Sequence, residues 1–268
     1  MAGAAKSGDA QDIGAVLEEI YGPVDWQAAG GVVHVTAIAA ADRTTIALGP
    51  AAPSSEMDRF VLGFARARAE ALVTTGSILR AEPDLVHRYA EEASRDAEWK
   101  AWREAALGRG AAPGLMLLSR TGDFPLGHPA IEAAESGFVW TSSATRSRLG
   151  ARIGELEVVA AEQFEAGRTG LSGALAFART RHGLTDIAIE AGPSATRELY
   201  EPGAATVRPP VDELMLSLYE GELAKPARAA EFASEVQVRA ARLQRLSRHR
   251  EEEPSGVWFF ERHRAQLA

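Results

Sequence analysis

Cysteine is missing from all 268 residues. Its absence excludes disulfides, thiolate nucleophiles and cysteine-ligated zinc. Long apolar runs are missing too: none approaches the roughly 18 residues of a membrane-spanning helix. The opening MAGAAKSGDAQDIGAVLEEI has neither the basic start nor the continuous apolar stretch of a secretion signal. The expected location is therefore cytoplasmic, with no membrane partner. Positive charge is in deficit, 29 Lys and Arg against 37 Asp and Glu, for a formal charge of −8. No general affinity for nucleic acid is expected, because phosphate binding is driven by clustered Lys and Arg that release counterions. The familiar catalytic strings are also lacking: no G-x-G-x-x-G, no P-loop, no H-E-x-x-H and no G-x-S-x-G. Six histidines (His34, His87, His128, His182, His249 and His263) lie scattered without metal-ligand spacing, so no metal is expected.

What is present is an ordinary globular composition, 46% hydrophobic and 25% charged, long enough for one large α/β domain or two small ones. Pro and Gly punctuation is even and no repeat or low-complexity linker appears, which favours one domain over residues 30–268 after an N-terminal extension, 1–29. Residues 1–11 read as frayed, and IGAVLEEIY (Ile13–Tyr21) as a short helix packed outside the core. GGVVHVTAIAAA (Gly30–Ala41) is a β-branched run fitting a buried strand. Ser54–Gly76 opens with a Ser-Glu cap signature, continues at helical spacing and runs into the strand EALVTT. Tyr89–Ala106 is a charged amphipathic helix docking Trp99 and Trp102 on the domain. Further strands are expected at Gly114–Pro125, Ser136–Ser143, Gly154–Ala161, Pro210–Gly221 and Ser255–Arg264, with a helix at Leu171–Gly183. Ala229–Arg250 reads as helix-prone, its five arginines from Arg239 onward a solvated helix face.

Two strand-to-helix transitions stand out. In IAIEAGPSATREL the strand ends at Glu190, Gly192 permits close approach to the backbone, and Ser194 is placed to cap a helix. In ALVTTGSILRAEP the strand Ala71–Thr75 empties into Gly76-Ser77. Ligands of open α/β sheets gather at the carboxyl ends of strands, so the two turns suit opposite sides of one pyrophosphate; a plain structural turn explains each equally.

SSEMDRFVLGFARARAEALVTTGSILRAEPDL resembles the helix, strand and G-[ST]-[VI]-[LR]-x-x-x-P turn of the pyrimidine reductases of riboflavin biosynthesis. GLTDIAIEAGPSATRELYEPGAATVRPPVDELMLSLYEG resembles the same family's E-G-G-P turn and V-D-E-L strand, LMLLSRTGDFPLGHPAIEAAESGFVWTSSA its middle section, and SGVWFFERHR its last strand. The ordered series covers Val32 to Arg264. It implies a dihydrofolate-reductase-like α/β fold, with a mixed, mostly parallel sheet, helices on both faces and an antiparallel C-terminal strand. It further implies a homodimer and NADPH-dependent reduction of a small polar substrate, a ribosylamino-pyrimidine or a pterin. On this likeness Thr75, Gly76, Ser77, Ala191, Gly192, Pro193 and Ser194 line the cofactor, with Thr141, Ser142 and Arg146 at its adenosine end. Arg43, Leu79 and Arg88 fall on the substrate side, and Asp42 and Glu190 are the catalytic candidates. A turn-capping role for Asp42 and a structural role for Glu190 remain open beside the catalytic ones. The sequence departs from the family at Ala40 and Arg43, where Ser and Gly are usual, at Ala81-Glu82, where an acidic-Asn pair is usual, and at Ala191 for Gly. These departures leave open a catalytically inactive relative that keeps the fold as a binding or assembly module.

Overall fold

The computed structural model describes residues 12–27, 30–47, 49–161, 170–201 and 211–266. The expectations for residues 1–11 and for Pro210 lie outside these. In chain order the strands are β1 (Val32–Ala39), β2 (Thr44–Ile46), β3 (Ala71–Thr75), β4 (Gly114–Leu118), β5 (Gly137–Thr141), β6 (Arg152–Ile153), β7 (Leu156–Ala160), β8 (Ile187–Ile189), β9 (Glu213–Tyr219), β10 (Arg228–Glu231), β11 (Leu243–Glu253) and β12 (Gly256–Ala265). Among the described residues the helices are α1 (Ile13–Tyr21), α2 (Glu56–Arg68), α3 (Gly76–Ala81), α4 (Ala93–Leu107), α5 (Pro129–Glu132), α6 (Ser143–Leu149), α7 (Leu171–His182), α8 (Pro193–Thr196) and α9 (Glu235–Ala240).

Seven strands run parallel in the order β9-β1-β8-β3-β4-β5-β7. Strands covered on both faces read as continuous apolar runs, and ALVTT, GLMLL and ELMLSLY are buried throughout. β6 pairs antiparallel with β7 at one end of the sheet, and the β11–β12 hairpin adds antiparallel to β9 at the other. β2 folds back on β1 and carries β10. The chain builds outward from β1 through β3, β4, β5 and β7, then returns to insert β8 between β1 and β3. That insertion is the topological switch, and the carboxyl ends beside it are where such sheets bind ligands.

One sheet face is covered by α1, α2 and α4, whose Leu17, Phe64 and Trp99 pack with Val33, Met215 and Trp258. On the opposite face α7 sets Ala174, Leu175 and Ala178 against Met116, Phe138 and Ile189. Helix α1 thus lies in the core instead of outside it, because its apolar stripe (Ile13, Val16, Leu17, Ile20) is completed by the sheet. Ser55 caps α2 by accepting a hydrogen bond from the Asp58 amide at 2.8 Å. The tryptophan pair on α4 docks as expected, with Trp99 buried and the two rings 5.6 Å apart edge to face, although the helix starts four residues later than its charge pattern suggests. The Tyr89 amide there donates to the Asp96 carboxylate (2.9 Å), an arrangement that precedes the first turn.

The largest correction concerns Ala229–Arg250. Only Glu235–Ala240 is helical; the stretch begins in β10, and its arginine run passes from this helix into β11. Ten register pairs with β12 outweigh the helix propensity of Arg and Gln. Opposite this hairpin's outer end, a buried ionic knot fastens the sheet to α2. The Glu213 carboxylate accepts from Arg68 at 3.0 Å and Arg262 at 3.1 Å, and both guanidinium groups lie 5.0 Å from the Trp26 ring.

Candidate functional site

The carboxyl ends of β1, β8, β3, β4 and β5 lie side by side along one sheet edge. At the end of β8 the Glu190 amide donates to the Val73 carbonyl of β3 (2.9 Å). Its carboxylate is gripped at two points by Arg66 from the last turn of α2, Nε to Oε1 at 2.7 Å and Nη2 to Oε2 at 2.6 Å. Arg66 also donates to the Arg88 carbonyl at 2.6 Å. Burial pushes the Glu190 carboxyl up, but Arg66 more than reverses this and holds it below the usual range. Glu190 is thus an anchored carboxylate, unsuited to give up a proton near neutrality.

Glu82, His87 and His128 surround this pair. Burial raises the Glu82 carboxyl, opposed by Arg66 and reinforced by Glu190. Burial also pushes His87 down to about 4. The His128 Nε2 atom sits 2.9 Å from the Glu82 carbonyl oxygen. Among the described residues, the buried atoms Glu82 Oε1 and His87 Nε2 have no hydrogen-bond partner, whereas buried polar atoms ordinarily have one. Neither residue stands out as a candidate in the sequence; the one visible signal is Glu82 itself, in the departure before Pro83.

The remaining positions differ in how far the protein itself occupies them. Thr75 caps α3, its hydroxyl accepting from the Ile78 amide (3.3 Å) and bonding the Ser77 hydroxyl (2.8 Å). A Cβ at Gly76 would fall 2.8 Å from Ser119 Oγ, so packing against β4 alone requires this glycine. Leu79 is fully buried with Leu115 and Leu117. Arg88 is exposed, and among the described residues its guanidinium makes no ion pair. The Thr141 hydroxyl donates to the Ser119 carbonyl (2.5 Å) and that of Ser142 to the Arg120 carbonyl (2.9 Å); Arg146 Nε donates to the Val158 carbonyl (3.0 Å).

At the other turn, Gly192 has ordinary extended geometry (φ −66) and, among the described residues, nothing lies within 4 Å of a Cβ built on it. Neither its conformation nor packing by the described residues calls for glycine there. Ala191, by contrast, is buried in the core cluster that holds Ile189, Leu199 and Tyr200. The added methyl packs inward and leaves the Gly192 surface clear. Ser194 does not cap α8: the N-cap is Gly192, without a side-chain bond, and Pro193 fills the first helical position. That makes Ser194 the second helical residue, two past the N-cap position from which a hydroxyl accepts from a free amide of the first turn.

Asp42 and Arg43 belong to a separate corner. Asp42 accepts from the Thr44 amide (3.0 Å) and pairs with Arg228 of β10, whose hydrogen bond leads the causes holding its carboxyl down to about 2. Arg43 Nε donates to the Ala233 carbonyl at 2.9 Å, with its guanidinium 5.5 Å from the Phe232 ring. Among the described residues no hydrogen bond or ion pair joins this corner to Glu190. A cavity of about 350 Å3 beside Pro193, Thr196, Tyr200 and Phe232 lies between the two; the Tyr200 hydroxyl is 2.6 Å from His34 Nδ1. A second cavity of similar size, about 340 Å3, opens by Trp26, Gly31 and Asp186 at the amino ends of β1 and β8, away from these strand ends.

A parallel sheet with its last-but-one parallel strand inserted beside the first, closed by an antiparallel hairpin, is the dihydrofolate-reductase-like architecture. Solved riboflavin-pathway pyrimidine reductases and their relatives share it. A pyrimidine reductase-like protein from Corynebacterium diphtheriae superposes with a TM-score of 0.62 at 19% identity, over 94% of this chain and 98% of that one. The Saccharomyces cerevisiae riboflavin biosynthesis reductase Rib7 gives 0.57 at 9% identity, over 94% and 100%. Acinetobacter baumannii RibD gives 0.57 at 18% identity over 88% of this chain, which spans only 58% of RibD. At these identities the likeness is one of fold. No protein-family model and no curated protein sequence matches the chain.

Proposed function

We propose that the protein is an NADPH-dependent reductase that delivers hydride to a C=N-like carbon of a small polar, ribosylamino-pyrimidine- or pterin-like molecule. The observation that supports this reading is Gly192: among the described residues, a glycine with open space over its missing side chain, at the carboxyl end of β8 beside the topological switch, where open α/β sheets bind ligands. The residues present fit the cofactor there. Gly192 and Pro193 would face its phosphates, with the exposed Ser77 beside them, and when bound it would supply the hydride.

The chain's own residues supply the rest. Arg66 and Glu190 fix the β8 end against α2. Glu82, whose carboxyl burial keeps protonated to higher pH, is the better candidate to give a proton to the substrate nitrogen, while burial holds His87 neutral near Glu190. Asp42, tied to Arg228, helps shape the mouth through the β1–β2 turn. The same reading takes a cytoplasmic homodimer whose catalytic unit is the domain of residues 30–268 together with helix α1, which packs into its core.

The test is NADPH binding by calorimetry and NADPH oxidation with ribosylamino-pyrimidines and pterins, on wild type and Gly192→Val. We expect binding and turnover in the wild type, and at least tenfold weaker binding in the variant at unchanged melting temperature. Absence of both binding and turnover in the wild type refutes the reading. Binding without turnover instead selects a non-catalytic nucleotide-binding module, which the ion-paired state of both Asp42 and Glu190 favours.

A further inference from the structure

The arginine run that the sequence suggested as a helix face takes on a different meaning once it is a strand. On β12, Phe259, Glu261 and His263 stand opposite Arg250, Arg248 and Arg245 of β11. A register shift between Arg245 and Ser247 keeps Arg245 and Arg248 on one face, because they meet residues two apart on β12. Helix α9 and the β1–β2 corner bring Arg239, Arg242 and Arg43 to the same place. Together they line a groove of about 740 Å3 that begins at Ala40, at the end of β1, and passes over Leu218.

Its charge runs against the rest of the molecule. In a chain of formal charge −8, the groove holds five arginines against two glutamates, Glu235 and Glu261. Glu261 is nearly buried and acts as the organiser: Oε1 takes Arg245 at 2.9 Å and Arg248 at 3.4 Å, and Oε2 lies 2.9 Å from His263 Nε2. Arg248 is further braced 4.0 Å from the Phe259 ring. One carboxylate cannot use the five N–H donors of each guanidinium, so outward-facing donors remain. The Arg239–Glu235 pair is loose, 3.7 Å apart and mostly exposed. The Arg242 guanidinium makes no hydrogen bond or ion pair among the described residues. Arg43 and Arg242 are also the two described non-glycine residues with left-handed backbones, φ 58 and φ 60. Holding two arginines in a conformation that side chains resist, both on the wall of one groove, is strain of the kind that gathers at binding sites.

We propose that this groove is an anion site for a diphosphate group, carried by a small molecule no larger than a nucleotide. The excess of three positive charges matches a diphosphate near neutrality. The volume suits a nucleotide-sized ligand, and the paired floor arginines with the wall arginines offer two guanidinium sets for two phosphates. The site stands apart from the Gly192 edge and does not depend on the reductase reading.

Calorimetry at low salt with inorganic pyrophosphate, ADP and adenosine tests it, on the full chain and on Arg242→Gln and Arg245→Gln. Among the described residues Arg242 makes no side-chain hydrogen bond or ion pair whose loss would unfold the protein, and circular dichroism and melting temperature check both variants. We expect one-to-one binding of pyrophosphate and no binding of adenosine. Affinity should fall at least tenfold in each variant and be unchanged in Gly192→Val. ADP binding more tightly than pyrophosphate identifies a nucleotide as the source of the diphosphate; equal affinities identify the free anion. No pyrophosphate binding by the wild type, or equal affinity in wild type and both variants, overturns the proposal. So does a light-scattering shift from dimer to monomer in Arg245→Gln with pyrophosphate affinity unchanged, since the groove would then be an interface between copies.

Discussion

Lowering the pH from about 7.5 to about 5 should weaken the fold through two histidines, His34, which is buried, and His87, which is partly buried. Burial leads in pushing His34 and His87 from an ordinary 6.5 down to about 4, with the Ala191 backbone opposing it weakly at His34 and Glu190 opposing it at His87. For a base whose folded value is depressed, the unfolded chain binds more protons between about 4 and 6.5. Stability is therefore fully present above that window and drains as pH falls through it. A gap of this size gives about 2 kcal/mol per histidine near pH 5, or about 4 kcal/mol for the pair. That is a large share of a typical domain's 5–15 kcal/mol, as an order of magnitude. Glu82 and Asp58, both raised by burial, act in the opposite sense, and Asp42 acts only towards about 2. Comparison with a double variant, His34→Gln with His87→Gln, separates the histidines from these carboxylates. Urea unfolding followed by circular dichroism at the two pH values should show the wild type losing about 4 kcal/mol more than the double variant. Equal losses would mean that neither histidine is held neutral by burial, and the reasoning would fail.

Other substitutions test the remaining structure. Glu213→Gln leaves Arg68 and Arg262 without their carboxylate inside the protein, and should cost about 3–5 kcal/mol in urea unfolding. Arg66→Met strands the Glu190 carboxylate and should cost a similar amount, on the order of 3–5 kcal/mol; adding Glu190→Met should recover most of it, and a double variant no more stable than the single one contradicts the pairing. Glu82→Gln should lower kcat about 100-fold or more while NADPH affinity and melting temperature hold. An unchanged kcat would remove Glu82 from the proton path.

The frame was legible because buried parallel strands write themselves as short apolar runs between Gly and Pro. ALVTT, GLMLL and GFVWT appear in the structure close to where the sequence puts them. Helix α1 and strand β11 were less legible, for one physical reason. The apolar stripe of α1 says that it packs but not against what, and the sheet decides this. LQRLSRHREEE contains good helix formers, and its partner β12, folded back along it as a hairpin, imposes the extended form. Local propensity differs by tenths of a kcal/mol per residue, roughly, which a ladder of paired strands overrides.

At the site, legibility divides along a different line. The sequence marks Gly76 and Gly192 as equivalent signals, each a glycine between a strand and a helix. The structure separates them by what a side chain would strike among the described residues: Ser119 at Gly76, and nothing within 4 Å at Gly192. Of the two, only the second lacks a reason among the described residues to be glycine, so only it argues for something beyond them. The same test bears on Ala191, whose methyl adds a contact to the core and takes nothing from the open edge. Ala191→Gly should therefore destabilise the fold by about 1 kcal/mol while leaving ligand affinity where it was. A variant that instead binds NADPH more tightly at unchanged stability would show that the methyl faces the ligand, and would move the cofactor edge from Gly192 to the residue before it.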